Sequence, residues 1–333
     1  MKIAIIGAGF YGCYLAKKLS NNHEVHLFES KEKMCMAAIV NNQNRLHLGY
    51  HYPRSNETVL QIISSYNRFL EEFRDCVSFI PQNIYAVHKD SNVDFEHYSN
   101  FFNSYNLDHR EVLKSDKIWD KIKNPKDFQG AFYTSEGILD TSKLRLKVIE
   151  PIYSSKNIKI SCNHKVDDNE VNILRNKFDY VINCTYNDPY IGFESPPVKV
   201  KKEHCLIVVM KDSNYRDFGF AVMDGNFCSL YPIKGDIFSL SSVVHTPFNK
   251  NELSSFNVKE NLEKIISDSE KYFLFKERKI VDYYFGTKTK IKNDLNDERE
   301  TLVVKEGNLI SVLIGKISTI FYSIDEVEKE IYK

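Results

Sequence analysis

Residues 2–29 constrain this chain more than any other stretch. Lys2-Ile3-Ala4-Ile5-Ile6 reads as a buried strand, and Gly7-Ala8-Gly9-Phe10-Tyr11-Gly12 follows at once. Cys13 to Leu19 reads as a helix, and Glu24-Val25-His26-Leu27-Phe28 as a second strand closing on Glu29. A strand, a G-x-G-x-x-G turn, a helix and a strand ending in an acid make a βαβ unit that holds a dinucleotide. Gly7 takes the tight turn. Gly9 leaves room for a pyrophosphate, which meets the free N–H groups and positive end of the helix. Gly12 lets the helix pack closely on the strand. Glu29 is placed to accept hydrogen bonds from adenosine ribose hydroxyls, and Cys13 packs as a small apolar residue. The fingerprint alone leaves a nicotinamide and a flavin dinucleotide both open.

The rest of the composition narrows the class. At 333 residues, 42% of them hydrophobic, the chain holds one large domain or two interleaved ones with a sizeable core. Lys+Arg and Asp+Glu both number 45, which argues against a general nucleic-acid or membrane-surface binder. No apolar run approaches membrane-spanning length. The chain starts directly on a strand, so no signal peptide is expected, and a cytoplasmic location fits. The 7 cysteines are scattered, without a C-x-x-C, so reduced thiols are expected rather than disulfides. No Cys/His cluster has ligand spacing, and no metal is expected.

Periodicity lays out the remainder. Residues 31–55 read as loop. Residues 57–74 read as an amphipathic helix, with Val59, Ile62, Ile63, Tyr66, Phe69, Leu70 and Phe73 at helical spacing. Ile84–Val87 reads as a short strand and 92–128 as a polar, helical insertion. Thr141 to about Tyr153 predicts a helix; Ile158–Ile160 and Phe178–Asn183 predict strands returning to the first sheet. Alternation over Val198–Val209, Phe218–Val222, Asn226–Tyr231 and Ile237–Val244 predicts an antiparallel sheet. A helix is expected at about 256–273, strands near 280–285, 301–304 and 309–313, and a terminal helix opened by Gly315-Lys316-Ile317-Ser318-Thr319.

Three segments carry a family resemblance. Arg45-Leu46-His47-Leu48-Gly49-Tyr50-His51-Tyr52-Pro53-Arg54-Ser55 resembles the H-x-G-x-x-Y-P-x-x-S stretch of L-2-hydroxyglutarate dehydrogenase-like flavoproteins. Asp179-Tyr180-Val181-Ile182-Asn183-Cys184-Thr185 is similar to the D-x-V-I-N-A-x segment that passes the FAD in that superfamily. Ile310 to Thr319 is similar to the I-x-G-G-K-L-T-T end of glycerol-3-phosphate dehydrogenases, with Ile314 in place of the first of two glycines. Together they resemble the FAD-dependent oxidoreductases of the D-amino acid oxidase superfamily.

The resemblance implies FAD as cofactor and an α/β (α+β mixed) fold. A Rossmann-like FAD-binding domain (1–75, 135–190 and 286–333) would be interleaved with an antiparallel-sheet substrate domain (76–134 and 191–285). The implied FAD contacts are Gly7, Gly9, Phe10, Tyr11, Gly12, Glu29 and Ser30, then Arg45, His47, Leu48 and Gly49, Val166, Cys184 and Thr185, and finally Gly315, Lys316, Ile317, Ser318 and Thr319. Gly49 would allow close backbone approach to the ring. His47 would touch the flavin noncovalently or carry it through an 8α-histidyl bond. The turn from Gly315 would stabilise negative charge near flavin N1/O2, or simply cap a helix.

Candidate catalytic residues are His51, Tyr231, His245 and Arg299. His51, Tyr52 and Arg54 line a pocket or bond within their loop. Tyr231 and His245 fall on strands expected to face the flavin, where a His can take a hydroxyl proton or rest as a satisfied sheet residue. Arg299 binds a substrate carboxylate, or is a surface charge within Asn296-Asp297-Glu298-Arg299-Glu300. Asp224 sits in a Met223-Asp224-Gly225-Asn226 hairpin turn.

The expected activity is transfer of a hydride to flavin N5 from a C–H beside a hydroxyl or amine. A small polar substrate is expected: a hydroxy acid, an amino acid or a sugar derivative. Electrons would pass on to oxygen or another acceptor. A flavin-dependent sugar-nucleotide mutase is the alternative, although Met34-Cys35-Met36-Ala37-Ala38 lacks the paired glycines of those enzymes. A non-catalytic dinucleotide-binding protein is the third reading. A monomer and a homodimer both fit.

Overall fold

The computed structural model describes residues 1–248, 256–292 and 298–333. β1 (Lys2–Ile6) and β2 (Glu24–Phe28) form where the sequence predicts them. α1 (Phe10–Leu19) begins earlier than expected, inside the glycine-rich turn. β1 lies between β2 and Tyr180–Asn183, parallel to both. The six-stranded sheet runs Leu302–Glu306, Leu309–Leu313, Tyr180–Asn183, β1, β2, Ile158–Ser161. Only its first strand is antiparallel to its neighbour. Ile3, Ala4 and Ile5 are fully buried, as strands covered on both faces require.

The second sheet has nine strands and is antiparallel, apart from the parallel pair Gln82–His88 and Phe218–Met223. Its longest ladder joins Val200–Lys211 to Lys279–Ile291. The expected domain boundary at 285/286 therefore falls inside a strand that stays in this sheet to its end. A small third sheet pairs β3 (Arg45–Leu46) and Val77–Phe79 with Gly137–Leu139. It ties the loop after β3 to the segment around Glu136. The mixed α/β class, with parallel and antiparallel sheets, is thus the one this chain adopts.

Four core clusters hold the sheets among the described residues, and two of them seat the helices named next. Phe10, Tyr14, Phe69, Phe73 and Phe321 join α1, α2 (Asn56–Phe73) and the terminal helix Ile320–Tyr332, with Phe69 and Phe73 ring centroids 4.9 Å apart. Each such ring contributes about 1.5–3 kcal/mol by leaving water. Leu262, Ile265 and Ile266 of the helix Val258–Ser269 belong to the core cluster that backs the large sheet.

The 92–128 stretch departs from expectation. Only Phe95–Ser104 is α-helical; His109–Glu111 and Phe128–Thr134 are strands of the large sheet. Tyr98, Phe101 and Phe102 are buried, so this helix packs into the body by its aromatic face. Polar residues between those rings hide the apolar face from a composition-based reading.

Helix starts differ in their caps, and α2 and the terminal helix have no side-chain cap bond. Asp94, Asp140, Asp167 and Asn257 each cap a helix by accepting a backbone N–H. α1 begins instead on Gly9, which has no side chain to cap it, and carries no acid in its first turn. Gly9, Phe10 and Tyr11 at its start line a cleft.

Candidate active site

A cleft of about 930 Å³ runs along the carboxyl ends of β1 and β2 and under the large sheet. At one end lie Gly7, Gly9, Phe10, Tyr11, Glu29, Ser30, Val166, Cys184 and Thr185. Gly7 has φ +94°, and its N–H donates to the Phe28 carbonyl at 2.8 Å. A Cβ built on Gly9 meets nothing within 4 Å, so this glycine faces open space. A Cβ on Gly12 would lie 1.9 Å from the Gly7 carbonyl oxygen, so Gly12 serves helix–turn packing and does not line the cleft. Glu29 accepts from the Ala8 and Lys31 N–H groups, both at 2.9 Å, which fixes its carboxylate at the cleft wall. Burial pushes the Cys184 thiol up to about 12, leaving it a neutral apolar wall.

The other end is built by the loop after β3 and the loop before the terminal helix. His47, His51 and Tyr52 form a triangle of rings with centroids 5.3–5.7 Å apart. Lys316 Nζ lies 4.6 Å from the Tyr52 ring centroid, joining the two loops. Tyr11 Oη donates to the Lys316 carbonyl and lies 3.0 Å from Thr319 Oγ1, which ties the dinucleotide turn to the C-terminal loop. Ser318 lines this cleft region, and its Oγ is buried with no hydrogen-bond partner among the described residues. A dinucleotide along the cleft fits these features: an uncapped helix, an anchored acid, open space at Gly9 and an unused hydroxyl.

Behind the rings lies a buried polar network. Arg45 is 7% exposed, with Nη1 donating to Tyr85 Oη at 3.3 Å. Tyr85 Oη donates to Glu136 Oε2 at 2.5 Å, and the Leu48 N–H donates to Glu136 Oε1 at 3.0 Å. His47 Nδ1 sits 3.4 Å from the same Oε1. Burial raises the Glu136 carboxyl, against the pull of Arg45 and the Tyr85 hydroxyl. Burial, then the charges of Lys316 and Arg45, hold His47 well below the ordinary imidazole range. Burial and Arg45 do the same to His51. Both imidazoles are therefore biased toward the neutral form, with a free ring lone pair.

Cations line the cleft from two sides: Lys202, Lys288 and Lys290 on the large sheet, and Arg299 and Lys316 beside the C-terminal loop. Glu203 Oε2 pairs with Lys290 Nζ at 2.8 Å. Arg54 grips Asp224 with two prongs, Nε–Oδ2 and Nη2–Oδ1 both 2.9 Å, so Asp224 does more than shape a turn.

Several predicted site residues lie elsewhere. His245 is not on a strand. The strand stops at Ser242, whose Oγ accepts the Val244 and His245 N–H groups and turns the chain, and His245 does not line the cleft. Tyr231 is on a strand but 1% exposed, its hydroxyl spent on the Gly137 carbonyl at 3.1 Å, beneath Arg45 and out of the cleft. Gly49 has φ +112° and packs against Val59, where a Cβ would meet Cγ1 at 3.2 Å; the turn and this packing require it, not a ring approach. Leu48 gives its N–H to Glu136, and Thr319 is buried against Thr301; neither lines the cleft. Arg299 does line the cleft and is not merely a surface charge; Asn296 and Asp297 of its run lie outside the described residues.

Sequence reading missed Glu136, Lys288 and Lys290. The Thr287-Lys288-Thr289-Lys290 alternation was a signal, since a strand puts both lysines on one face. Glu136 gave none beyond an acid set before a short apolar strand. Among the described residues no group of three or more His, Cys, Asp or Glu could hold a metal, and no helix is long and apolar enough to cross a membrane.

An uncapped glycine turn on a parallel sheet, opening on a chamber roofed by an antiparallel sheet, defines a dinucleotide-binding protein with its own substrate chamber. Residues 2–269 match the FAD dependent oxidoreductase (DAO) family, and the chain belongs to it. It is an FAD-dependent enzyme. The FAD-dependent monooxygenase FPY4 of Fusarium mangiferae is 28% identical over 345 residues, covering 98% of this chain and 89% of its own. The FAD-dependent monooxygenase kojA of Aspergillus flavus is 23% identical, over 98% of this chain and 85% of its own. The L-α-glycerophosphate oxidase of Mycoplasma pneumoniae, solved dithionite-reduced with FAD bound, superposes with TM-score 0.72 at 13% identity, covering 100% of this chain and 95% of its own. The glycine oxidase of Geobacillus kaustophilus superposes with TM-score 0.67 at 13% identity, covering 98% and 93%.

Proposed function

We propose that this protein oxidises a small anionic substrate at a C–H beside a hydroxyl or an amine, a hydroxy acid or an amino acid. The observation that carries this reading is one chamber lined by the imidazoles of His47 and His51 together with the cations Lys288, Lys290, Arg299 and Lys316. FAD, when bound, supplies the acceptor for a hydride and its two electrons at N5. The Gly9 turn, Glu29 and Ser318 hold the dinucleotide. Arg299, Lys316 and Lys288 hold the anionic end of the substrate and orient its C–H bond. His47 or His51 takes the hydroxyl or ammonium proton as the carbonyl or imine forms. The FAD-binding part is 1–75, 135–190 and the chain beyond 291; the substrate part is 76–134 and 191–291.

The test is anaerobic mixing of the FAD-loaded protein with a panel of hydroxy acids, amino acids and their uncharged analogues. Bleaching of the visible flavin band by an acid, and not by its amide, is the expected result. A second reading comes from the names of FPY4 and kojA: oxygen insertion driven by an external reductant. Flavin bleached by a reduced nicotinamide and by no substrate, with an oxygen atom from O2 in the product, would establish that reading instead.

A further inference from the structure

We propose that Glu136 is a positioning residue, which turns His47 Nδ1 toward itself and leaves Nε2 open to the chamber as the atom that takes the substrate's proton. This inference rests on the oxidation reading above and gives it an assigned base.

The geometry separates His47 from His51. Both rings line the cleft, and both have a buried Nδ1 that makes no hydrogen bond among the described residues. Only His47 has a carboxylate against that nitrogen, Glu136 Oε1 at 3.4 Å. A neutral imidazole carries one N–H, and a facing acceptor decides which nitrogen holds it. With the proton on Nδ1, the lone pair is on Nε2, across the ring from Glu136. Neither Nδ1 has a hydrogen-bond partner among the described residues, and what distinguishes His47 is this carboxylate at ion-pair distance, which His51 lacks.

The cost of placing Glu136 makes the same point. The side chain is 1% exposed, and a buried carboxylate is stable only when donors converge on it. Tyr85 and the Leu48 N–H supply two, and the Arg45 charge lies behind Tyr85. This support fixes the carboxylate, and the carboxylate in turn faces His47. The charged groups acting on His47 are Arg45 on its own loop, Lys316 and Arg299 beside the C-terminal loop, and Lys288 on the large sheet. All four are cations; Glu136 Oε1, 3.4 Å from Nδ1, is the acid at ion-pair distance from this ring, and its charge also reaches His51. In the step itself, the substrate O–H or N–H proton moves to Nε2. The C–H bonding pair leaves as hydride to the oxidised flavin, and the C=O or C=N bond forms from the electrons of the broken O–H or N–H bond.

The test reads the tautomer directly by long-range 1H–15N NMR on FAD-loaded protein with labelled histidine, without substrate. The His47 signals are assigned by their loss in His47→Asn. The expected result is a protonated Nδ1 and a bare Nε2, with that preference lost in Glu136→Gln and restored in Glu136→Asp. With an acid that reduces the wild-type flavin, Glu136→Gln should slow reduction about 10- to 100-fold at unchanged KM. A wild-type His47 protonated at Nε2, or a tautomer unchanged in Glu136→Gln, overturns the proposal. The wild-type spectrum decides even if the variants fail to fold. A silent substrate panel beside the expected tautomer would count against the oxidation reading and leave the Glu136–His47 pairing standing.

Discussion

Arg45 sits over the ring of Tyr231, its guanidinium carbon 4.1 Å from the ring centroid. Two of its nitrogens, Nε and Nη2, are buried without a hydrogen-bond acceptor among the described residues. The π face and nearby Glu136 therefore compensate a charge that would otherwise be costly to bury. Tyr231 supports the chamber from below. Tyr231→Phe keeps the ring and loses only the bond to Gly137, a loss of about 1 kcal/mol in urea unfolding. Flavin reduction by substrate should be unchanged. Reduction lost at full stability would return Tyr231 to the catalytic set.

The pH dependence of stability is readable at His26. Its ring stacks on Phe28 at 4.1 Å and bonds Ser161 Oγ at 2.9 Å. Burial, then Lys159, lowers it from 6.5 to about 4. Between those values the unfolded chain binds a proton that the folded chain refuses. Stability is therefore full above pH 6.5, falls as pH drops toward 4, and gains no further slope from this group below that. His26→Gln should flatten the fall in Tm between pH 6.5 and 4. An unchanged slope would assign the acid sensitivity to other groups.

How much of this was legible depends on how local the cause is. β1, α1 and β2 follow from an apolar run, a glycine turn and a closing acid within about thirty residues, so sequence suffices. The cluster of Arg45, Tyr85 and Glu136 does not follow. The small sheet brings it together through the β3 pairing Arg45↔Ile138, a register no local pattern encodes. The chain at His245 fails for a similar reason. Ser241 to His245 reads as strand, but Ser242 Oγ donates to Asp268 Oδ2 at 2.6 Å and also accepts the following N–H groups. That is a tertiary bond overriding a β-branched run. Gly49 was legible as a needed glycine but not for its reason, because Val59 on α2 supplies the constraint.

The Arg54–Asp224 pair joins the histidine loop to the turn after Phe218–Met223, at the cleft wall. The Asp224 side chain is 10% exposed and that of Arg54 32%, so the carboxylate end of the pair is shielded and the guanidinium end meets solvent. Asp224 also has φ +53°, a conformation Asn accepts readily. Asp224→Asn therefore isolates the charge from the turn. A double-mutant cycle with Arg54→Met should give a coupling of about 1–2 kcal/mol in urea unfolding. A coupling near zero would make this a surface pair without structural weight.

The dinucleotide turn offers the sharpest separation of binding from folding, because two of its glycines face opposite ways. Gly9 opens on the cleft with nothing within 4 Å of a built Cβ. Gly9→Ala should leave the Tm of the apoprotein within about 2 °C, since the methyl fills empty space and the residue's φ of −74° suits alanine. The same methyl stands where the pyrophosphate approaches the N–H groups of α1, so FAD affinity should fall at least tenfold. Gly12 is the reverse. Its Cβ would overlap the Gly7 carbonyl at 1.9 Å, so Gly12→Ala must push α1 off β1 and lower the apoprotein Tm by several degrees before any cofactor is added. Fluorescence titration with FAD and apoprotein melting, run on both variants, check the pair. Equal loss of FAD binding and stability in Gly9→Ala would mean that the open space at Gly9 is not where the cofactor lies.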